Sequence, residues 1–344
     1  MTGRQIGLRV LPSDGRYDIS TAYSEARAAA SGLSPSAQGE RLADGLIQWS
    51  SSVTPALTEV LEAEVFDAVV ASTFFATAVA PACLGRGLPW AIVRSSFYQG
   101  PGSTRPLESD YSPVVVPVIR RLRLPVLKRA NLVLHPTVPE FEFELTDVPP
   151  HHHFVGPLFW EPESRDAPYL NEPGAPWVLV NLSTVAQAGL PIADAALAAL
   201  RSRPVRVLVT LGAERNPEDL AEIPPNVRVE RYASHTQVLR RASLVISRAG
   251  FGIVMKALHE GVPMVLVPWG SDQQGVAARA TRLGAAQTVD FEDVGHAAMT
   301  QAIETVLGSR SFATAAKRAS AVLRGKEGVA AACSLLEKLD PNRE

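Results

Sequence analysis

The hexapeptide Ser247-Arg-Ala-Gly-Phe-Gly252 follows the apolar run Ser243–Ser247 and opens the helical pattern Gly252–Glu260. A strand that turns through glycines into a helix leaves free backbone N–H groups at the positive end of the helix dipole. The glycines also let a ligand come close to the backbone. Such a junction suits a phosphate or pyrophosphate, and Arg248 adds a guanidinium able to make bidentate bonds to phosphate oxygens. The plainer reading of Gly250 and Gly252 is a tight strand–helix turn with no ligand. The next strand end carries Pro268-Trp-Gly-Ser-Asp-Gln273. There Asp272 and Gln273 offer adjacent acceptors and donors to a polyhydroxylated ring, although Asp272 also suits the N-cap of the helix that follows. A third strand end, Asn181-Leu-Ser-Thr184, adds hydroxyls at the same edge.

These loops need a scaffold that brings strand ends together. In the second half, runs at 177–182, 205–210, 227–231, 243–247 and 262–267 read as strands. They alternate with helical patterns at 192–200, 235–241, 252–260, 273–283, 297–307 and 328–339. Apolar strands alternating with helices predict a parallel sheet covered on both faces, a doubly wound α/β domain that binds ligands at the carboxyl ends of its strands. The first half shows the same grammar: strands at 6–10, 66–71, 90–93 and 132–135, with helices over 40–63 and 76–85. Five prolines mixed with charges between Gly156 and Pro176 mark a linker. We therefore expect domains at 1–157 and 177–344 joined by 158–176. The first strand runs straight into the polar loop Ser13–Tyr17, so the first domain reads as short by one βα unit. Segment Val114–Leu127, apolar and basic, fits either an interfacial helix or a packed, pocket-lining element.

Hydrophobic residues make up 46% of the 344 and charged residues 20%, enough for large cores. A net charge of −2 without a basic run gives a nucleic-acid partner no electrostatic support. Two distant cysteines, Cys83 and Cys333, exclude a disulfide framework and fit a reducing cytoplasm. The apolar stretches are too short and too broken to span a membrane.

The stretch Val227–Gly284 resembles the donor-binding domain of bacterial glycosyltransferases of the GT-B fold, in the branch that acts on macrolides and other natural products and is related to UDP-glycosyltransferases. The residues that carry this are 231–239, 247–258, 261–273 and 275–284, with weaker likeness at 179–187 and 131–157. The resemblance implies two Rossmann-like domains facing across a cleft, with the C-terminal helix packing back on the first. It makes the run His151-His-His153 native loop rather than a metal site. It also implies inverting transfer from a UDP- or TDP-sugar to a hydroxyl of a small hydrophobic natural-product or lipid-like acceptor. The donor would be a substrate, with no further cofactor and no essential metal, in a cytoplasmic monomer or weak homodimer without stable membrane insertion.

Position by position, the resemblance gives Ser183 and Thr184 to phosphate or the transferred sugar, and Ala233 and His235 to the nucleotide base. The backbone of Gly250, Phe251, Gly252 and Ile253 would hold the pyrophosphate, with Arg248 beside it. Trp269 would line the sugar pocket, and Asp272 and Gln273 would bond sugar hydroxyls. Thr73, Phe97, Tyr98 and Tyr111 would wall the acceptor. Four departures stand against the pattern. Arg248 replaces a histidine, Ile253 a hydroxyl side chain, and Lys256 an acid that holds the ribose diol; lysine cannot accept hydrogen bonds. No histidine precedes His135, and Ser72–Thr73 stand where relatives carry an aspartate, so no residue is assigned as catalytic base. Two readings follow: a transferase recorded without roughly thirty N-terminal residues, the size of one βα unit, or a degenerate protein that binds nucleotide sugar or aglycone without turnover.

Overall fold

The computed structural model describes residues 19–161, 167–182, 189–212 and 215–339. The expected strand at 6–10 and the hydroxyl pair Ser183 and Thr184 lie outside these residues. In chain order the first half contains α1 (Ile19–Ala28), α2 (Pro35–Ala63), β1 (Val69–Ser72), α3 (Ala76–Leu84), β2 (Trp90–Val93), α4 (Leu107–Asp110), α5 (Val116–Val118), α6 (Leu124–Leu127), β3 (Leu132–His135) and β4 (His152–Phe154). The second half contains β5 (Trp177–Asn181), α7 (Leu190–Leu200), β6 (Arg206–Thr210), β7 (Val227–Glu230), α8 (His235–Leu239), β8 (Ala242–Ser247), α9 (Phe251–Glu260), β9 (Met264–Leu266), α10 (Gln273–Arg282), β10 (Ala286–Thr288), α11 (His296–Gly308), α12 (Arg310–Arg324) and α13 (Gly328–Leu336).

Each half builds one parallel sheet, in the orders β1-β2-β3-β4 and β10-β9-β8-β5-β6-β7. Val178–Val180 and Leu244–Ile246 are buried on both faces, which is why these strands read as unbroken apolar runs. β8 lies at the centre of its sheet, and it delivers Ser247 to the carboxyl edge next to Asn181 of β5. The long helix α2 starts where the Ser34 hydroxyl accepts the Ala37 N–H at 3.5 Å and Pro35 occupies the first turn. It covers the first sheet and packs on α3 through Trp49 and Val53.

Two features depart from the sequence reading. The histidine run is not wholly loop: His152 and His153 enter β4, which pairs in parallel with β3. Stacking explains it, since His152 sits 5.2 Å from His135 and 5.7 Å from Tyr98, ring to ring, in a buried aromatic layer. The helix α12 was not predicted, because its buried stripe is built of small residues, Ala315, Ala316 and Ser320, with Leu323. Of the two readings of Val114–Leu127, the structure has the packed, pocket-lining one.

The two halves are tied together at both ends of the second domain. Ala332 of α13 clusters with Ala91, Leu132, Leu134 and Val155 of the first domain. The first residue of α13, Gly328, lies so close to Pro157 that a Cβ there would meet its carbonyl oxygen at 2.2 Å. Among the described residues no helix is long and apolar enough to cross a membrane.

Candidate functional site at the strand ends

The chain leaves β8 through a strained turn. Ala249 has φ 60°, unusual for a residue with a side chain, and the buried Ser247 hydroxyl accepts its N–H at 3.2 Å. Gly250 then starts α9 with no side chain capping the first amides. A Cβ on Gly252 would meet nothing within 4 Å, and one on Gly250 would meet only Ile253, at 3.9 Å. The glycines therefore leave open space in front of the helix N-terminus rather than making room for packing. That space is a cavity of about 290 Å³ lined by Asn181, Leu182, His235, Arg248, Gly250, Gly252, Ile253, Lys256 and Gln273.

Among the described residues, two cations and no carboxylate face this cavity. Arg248 is buried, with its guanidinium 5.5 Å from the Trp269 ring centre. Burial, and then the neighbouring Arg215, lower its pKa from the ordinary arginine value. Lys256 pairs with Glu161, which arrives from the linker and also accepts the Ser234 hydroxyl at 2.7 Å and the Thr236 N–H at 3.3 Å. Burial works against the Glu161 carboxylate, but the bonds from Lys256 and Ser234 outweigh it and hold its pKa below the usual value. His235 sits inside this charge set. Burial first and Lys256 second push its pKa down to about 4, despite the pull of Glu161. It is therefore neutral at neutral pH. Its Nε2 accepts from the Asn181 amide at 3.3 Å, and that amide also donates to the Thr210 hydroxyl at 3.0 Å, which leaves the imidazole proton on Nδ1.

Of the residues expected here, the structure brings together His235, Arg248, Gly250, Gly252, Ile253 and Gln273. Others sit elsewhere. Phe251 turns away, edge-on to Phe141 of the first domain at 6.3 Å. Ala233 packs against the core, and Trp269 stands beside the cavity against Phe291 rather than in its wall. Asp272 neither caps α10 nor faces the cavity freely: it accepts a short hydrogen bond from Ser96 of the first domain. The Gln273 carbonyl oxygen accepts the Trp269 and Gly270 N–H groups at 3.0 and 3.2 Å, which fixes the loop and leaves the amide nitrogen for the cavity. Asn181, Lys256 and Glu161 take places that the sequence did not assign. Asn181 was visible as the polar end of an apolar strand. Glu161 was not, because its partner Lys256 lies 95 residues away.

A second cavity, of about 390 Å³, opens in the first domain. Leu42, Leu46, Trp49, Val115, Val118 and Leu122 make its walls apolar, and Thr73 and Phe74 close it at the end of β1. Ser271, from the loop that carries Asp272, also lines it, so this cavity reaches the strand-end loops of the other domain. Thr73 thus stands where an acceptor was expected. Phe97, Tyr98 and Tyr111 do not line it, which corrects the sequence reading of them as acceptor walls: all are completely buried, Phe97 and Tyr111 ring to ring at the joint between the domains and Tyr98 in the aromatic layer with His135 and His152. At that joint Arg279 of α10 bonds Glu142 at 2.7 Å and pairs with Asp110 at 3.1 Å, while its guanidinium lies 3.8 Å from the Phe97 ring centre. A Cβ on Gly275 would lie 2.5 Å from Phe97, so glycine is what lets α10 seat against these rings. The Ser112 N–H donates to the Ser271 carbonyl at 2.9 Å across the same joint. Among the described residues no group of His, Cys, Asp or Glu is arranged to hold a metal ion.

Comparison with known proteins fits this architecture. Residues 195–326 match the domain family described as erythromycin biosynthesis protein CIII-like, C-terminal domain. The chain is 31% identical over 218 residues to 4'-demethylrebeccamycin synthase of Lentzea aerocolonigenes, covering 62% of this chain and 51% of that protein. It is 25% identical over 222 residues to the NDP-glycosyltransferase YjiC of Bacillus subtilis, covering 64% and 56%. The match thus spans about half the length of these relatives. Among solved structures it resembles the glycosyltransferase SnogD from Streptomyces nogalater, with TM-score 0.70 and 18% identity over 98% of this chain and 88% of that one. It also resembles the spinosyn rhamnosyltransferase SpnG complexed with thymidine diphosphate, with TM-score 0.70 and 23% identity over 91% and 84%. The chain has the GT-B fold, and over part of its length its sequence is similar to natural-product glycosyltransferases.

Proposed function

We propose that this chain transfers a sugar from a nucleoside-diphosphate sugar, of UDP or TDP type, to a hydroxyl of a small hydrophobic acceptor, with inversion at the anomeric carbon. The observation that carries the reading is the uncapped N-terminus of α9 opening, beside Arg248 and Lys256, into a cavity whose glycines leave room at the backbone. A diphosphate is the ligand such a place stabilises, and the same dipole and cations meet the charge that develops on it as leaving group. Neutral His235, held by Asn181, offers Nδ1–H as a donor to the nucleotide. The apolar cavity that touches Ser271 suits the acceptor. The donor is the only nucleotide in this reading, and the chemistry calls for no metal.

A second reading, binding of donor or aglycone without turnover, draws on two observations. Asp272 is engaged by Ser96, and the described residues that line the acceptor cavity include no His, Asp or Glu. Titration calorimetry with UDP and TDP tests what both readings share. Arg248→Ala should weaken binding ~10- to 100-fold, the worth of a charge-assisted hydrogen bond. No binding of either nucleotide by the wild-type chain would overturn both. Binding with neither sugar transfer nor donor hydrolysis selects the second.

A further inference from the structure

The element that lines the acceptor cavity carries Arg120, Arg121 and Arg123 in one run, and the structure uses the last of them differently from the others. Residues Ile119–Arg123 form a π-helical turn, in which the Leu124 N–H reaches the Ile119 carbonyl five residues back. Pro125 follows at once and has no N–H to continue an α-helical ladder. One wide turn before it keeps the backbone bonded, and such turns recur at functional sites because they re-aim side chains.

The consequence is a division of labour. Arg120 pairs with Glu108, and Arg121 with Glu40 and Asp44, all on the surface. Arg123 points the other way and lines the cavity among Leu42, Leu46, Trp49 and Val118. Its guanidinium stands 4.8 Å from the Phe74 ring centre. Among the described residues no carboxylate lies within ion-pair distance of it. Asp272 attracts it from a distance, but that carboxylate already accepts from Ser96. Burial lowers the Arg123 pKa; Tyr111 offsets part of that, and Arg94 adds to the lowering. A cation in an apolar wall is costly unless an opposite charge joins it, and one ring face returns only a small part of that cost.

We propose that Arg123 is the receptor for an oxyanion, of the carboxylate or sulfonate class, on an apolar ligand whose body fills this cavity. The acceptor is then an apolar acid, an assignment that rests on the acceptor-cavity reading above. Arginine suits the task because its planar fork matches a carboxylate bidentately.

Two fluorescent probes of nearly equal shape separate the ideas: 8-anilinonaphthalene-1-sulfonate and its uncharged parent N-phenyl-1-naphthylamine. The wild-type chain should bind the sulfonate about tenfold tighter or more. Arg123→Met should abolish that preference while still binding the neutral probe, and Arg123→Lys should keep part of it. Equal wild-type affinity for the two probes overturns the proposal without any variant, as does a preference that survives Arg123→Met. Failure of the neutral probe to bind overturns the cavity as an acceptor site and the proposal with it. UDP and TDP titrations of the same wild-type chain report the donor reading independently.

Discussion

Removing the Arg279 guanidinium tests how the two domains hold the donor loop. Arg279 is buried to 1% exposure, and both carboxylates that meet it, Asp110 and Glu142, are at 0% by side chain. It also donates to the Gly275 carbonyl at 3.0 Å. Arg279→Met keeps much of the stem and deletes the charge, so Glu142 stays behind in low dielectric without its cation, while Asp110 keeps Arg105 at 2.8 Å. Breaking a buried pair from one side costs about 3–5 kcal/mol, and loss of the Phe97 ring contact adds ~1 kcal/mol. We expect a loss near 4 kcal/mol, a large share of the 5–15 kcal/mol that ordinarily holds a domain together. Urea unfolding followed by tryptophan fluorescence suits the measurement, since Trp90 and Trp177 report one sheet each from buried positions. The stranded Glu142 charge is the source of the cost, so Arg279→Met with Glu142→Gln should recover half of it or more. The cost should also shrink on acidification. Burial already raises the Glu142 pKa against the pull of Arg279, and without that pull the native state takes up the proton earlier. A loss below about 1 kcal/mol, or a double variant no better than the single, would refute the argument.

Two more perturbations address the same architecture. Gly275→Ala should destabilise by about 1–3 kcal/mol, since its Cβ would sit 2.5 Å from Phe97 and 2.9 Å from the Asp110 carbonyl; a melting temperature unchanged from wild type would show that the joint yields freely. Acid should weaken the fold through its buried imidazoles. His152 and His235 are pushed down to about 4 by burial and His135 well below the ordinary value, so the unfolded chain binds more protons as pH falls below the model-peptide value of 6.5. The stability is whole above that pH and falls between it and pH ~4, by ~1.4 kcal/mol per pH unit for each group. Urea midpoints that match at pH 7.5 and 5.0 would contradict it.

How much of this was legible in sequence depends on how far apart the interacting residues stand. The second sheet announces itself because Trp177–Asn181, Arg206–Thr210 and Ala242–Ser247 are apolar strands bounded by Gly, Pro and polar turns. The junction at Ser247–Gly252 is local too, so Arg248 and the glycines could be placed from six residues. Asp272 could not. Its hydroxyl partner Ser96 is 176 residues away, and a carboxylate before a helix reads as a cap unless that partner is known. The same distance hid the joint: Phe97, Tyr98 and Tyr111 read as ligand walls because aromatics before a loop often are, while Arg279 and Glu142, 137 residues apart, claim that face for packing. β4 was hidden for another reason. Histidine has no strong strand signature, and His152 enters a strand because Tyr98 and His135 give its ring something to pack on.

The departures at Arg248, Ile253 and Lys256 look in sequence like a list of lost polar contacts, but the structure couples them. Ile253 sits in the cavity wall with little exposure and no hydrogen-bonding group to offer. A lysine at position 256 alone would put a second full charge beside Arg248 in a half-buried space. Glu161 takes up that charge, and it does so from the linker rather than from the donor domain's own helices. The same carboxylate holds Ser234 and the Thr236 N–H, the first turn of α8, next to His235. One exchange of sign on α9 is therefore absorbed by three elements at once. Among the described residues the cavity also holds the Arg248 guanidinium, a neutral imidazole fixed by Asn181, and the N-terminus of α9 without a side-chain cap. That distribution suits a dianionic diphosphate better than a neutral sugar ring. In that arrangement the linker helps build this cavity as well as connecting the two domains.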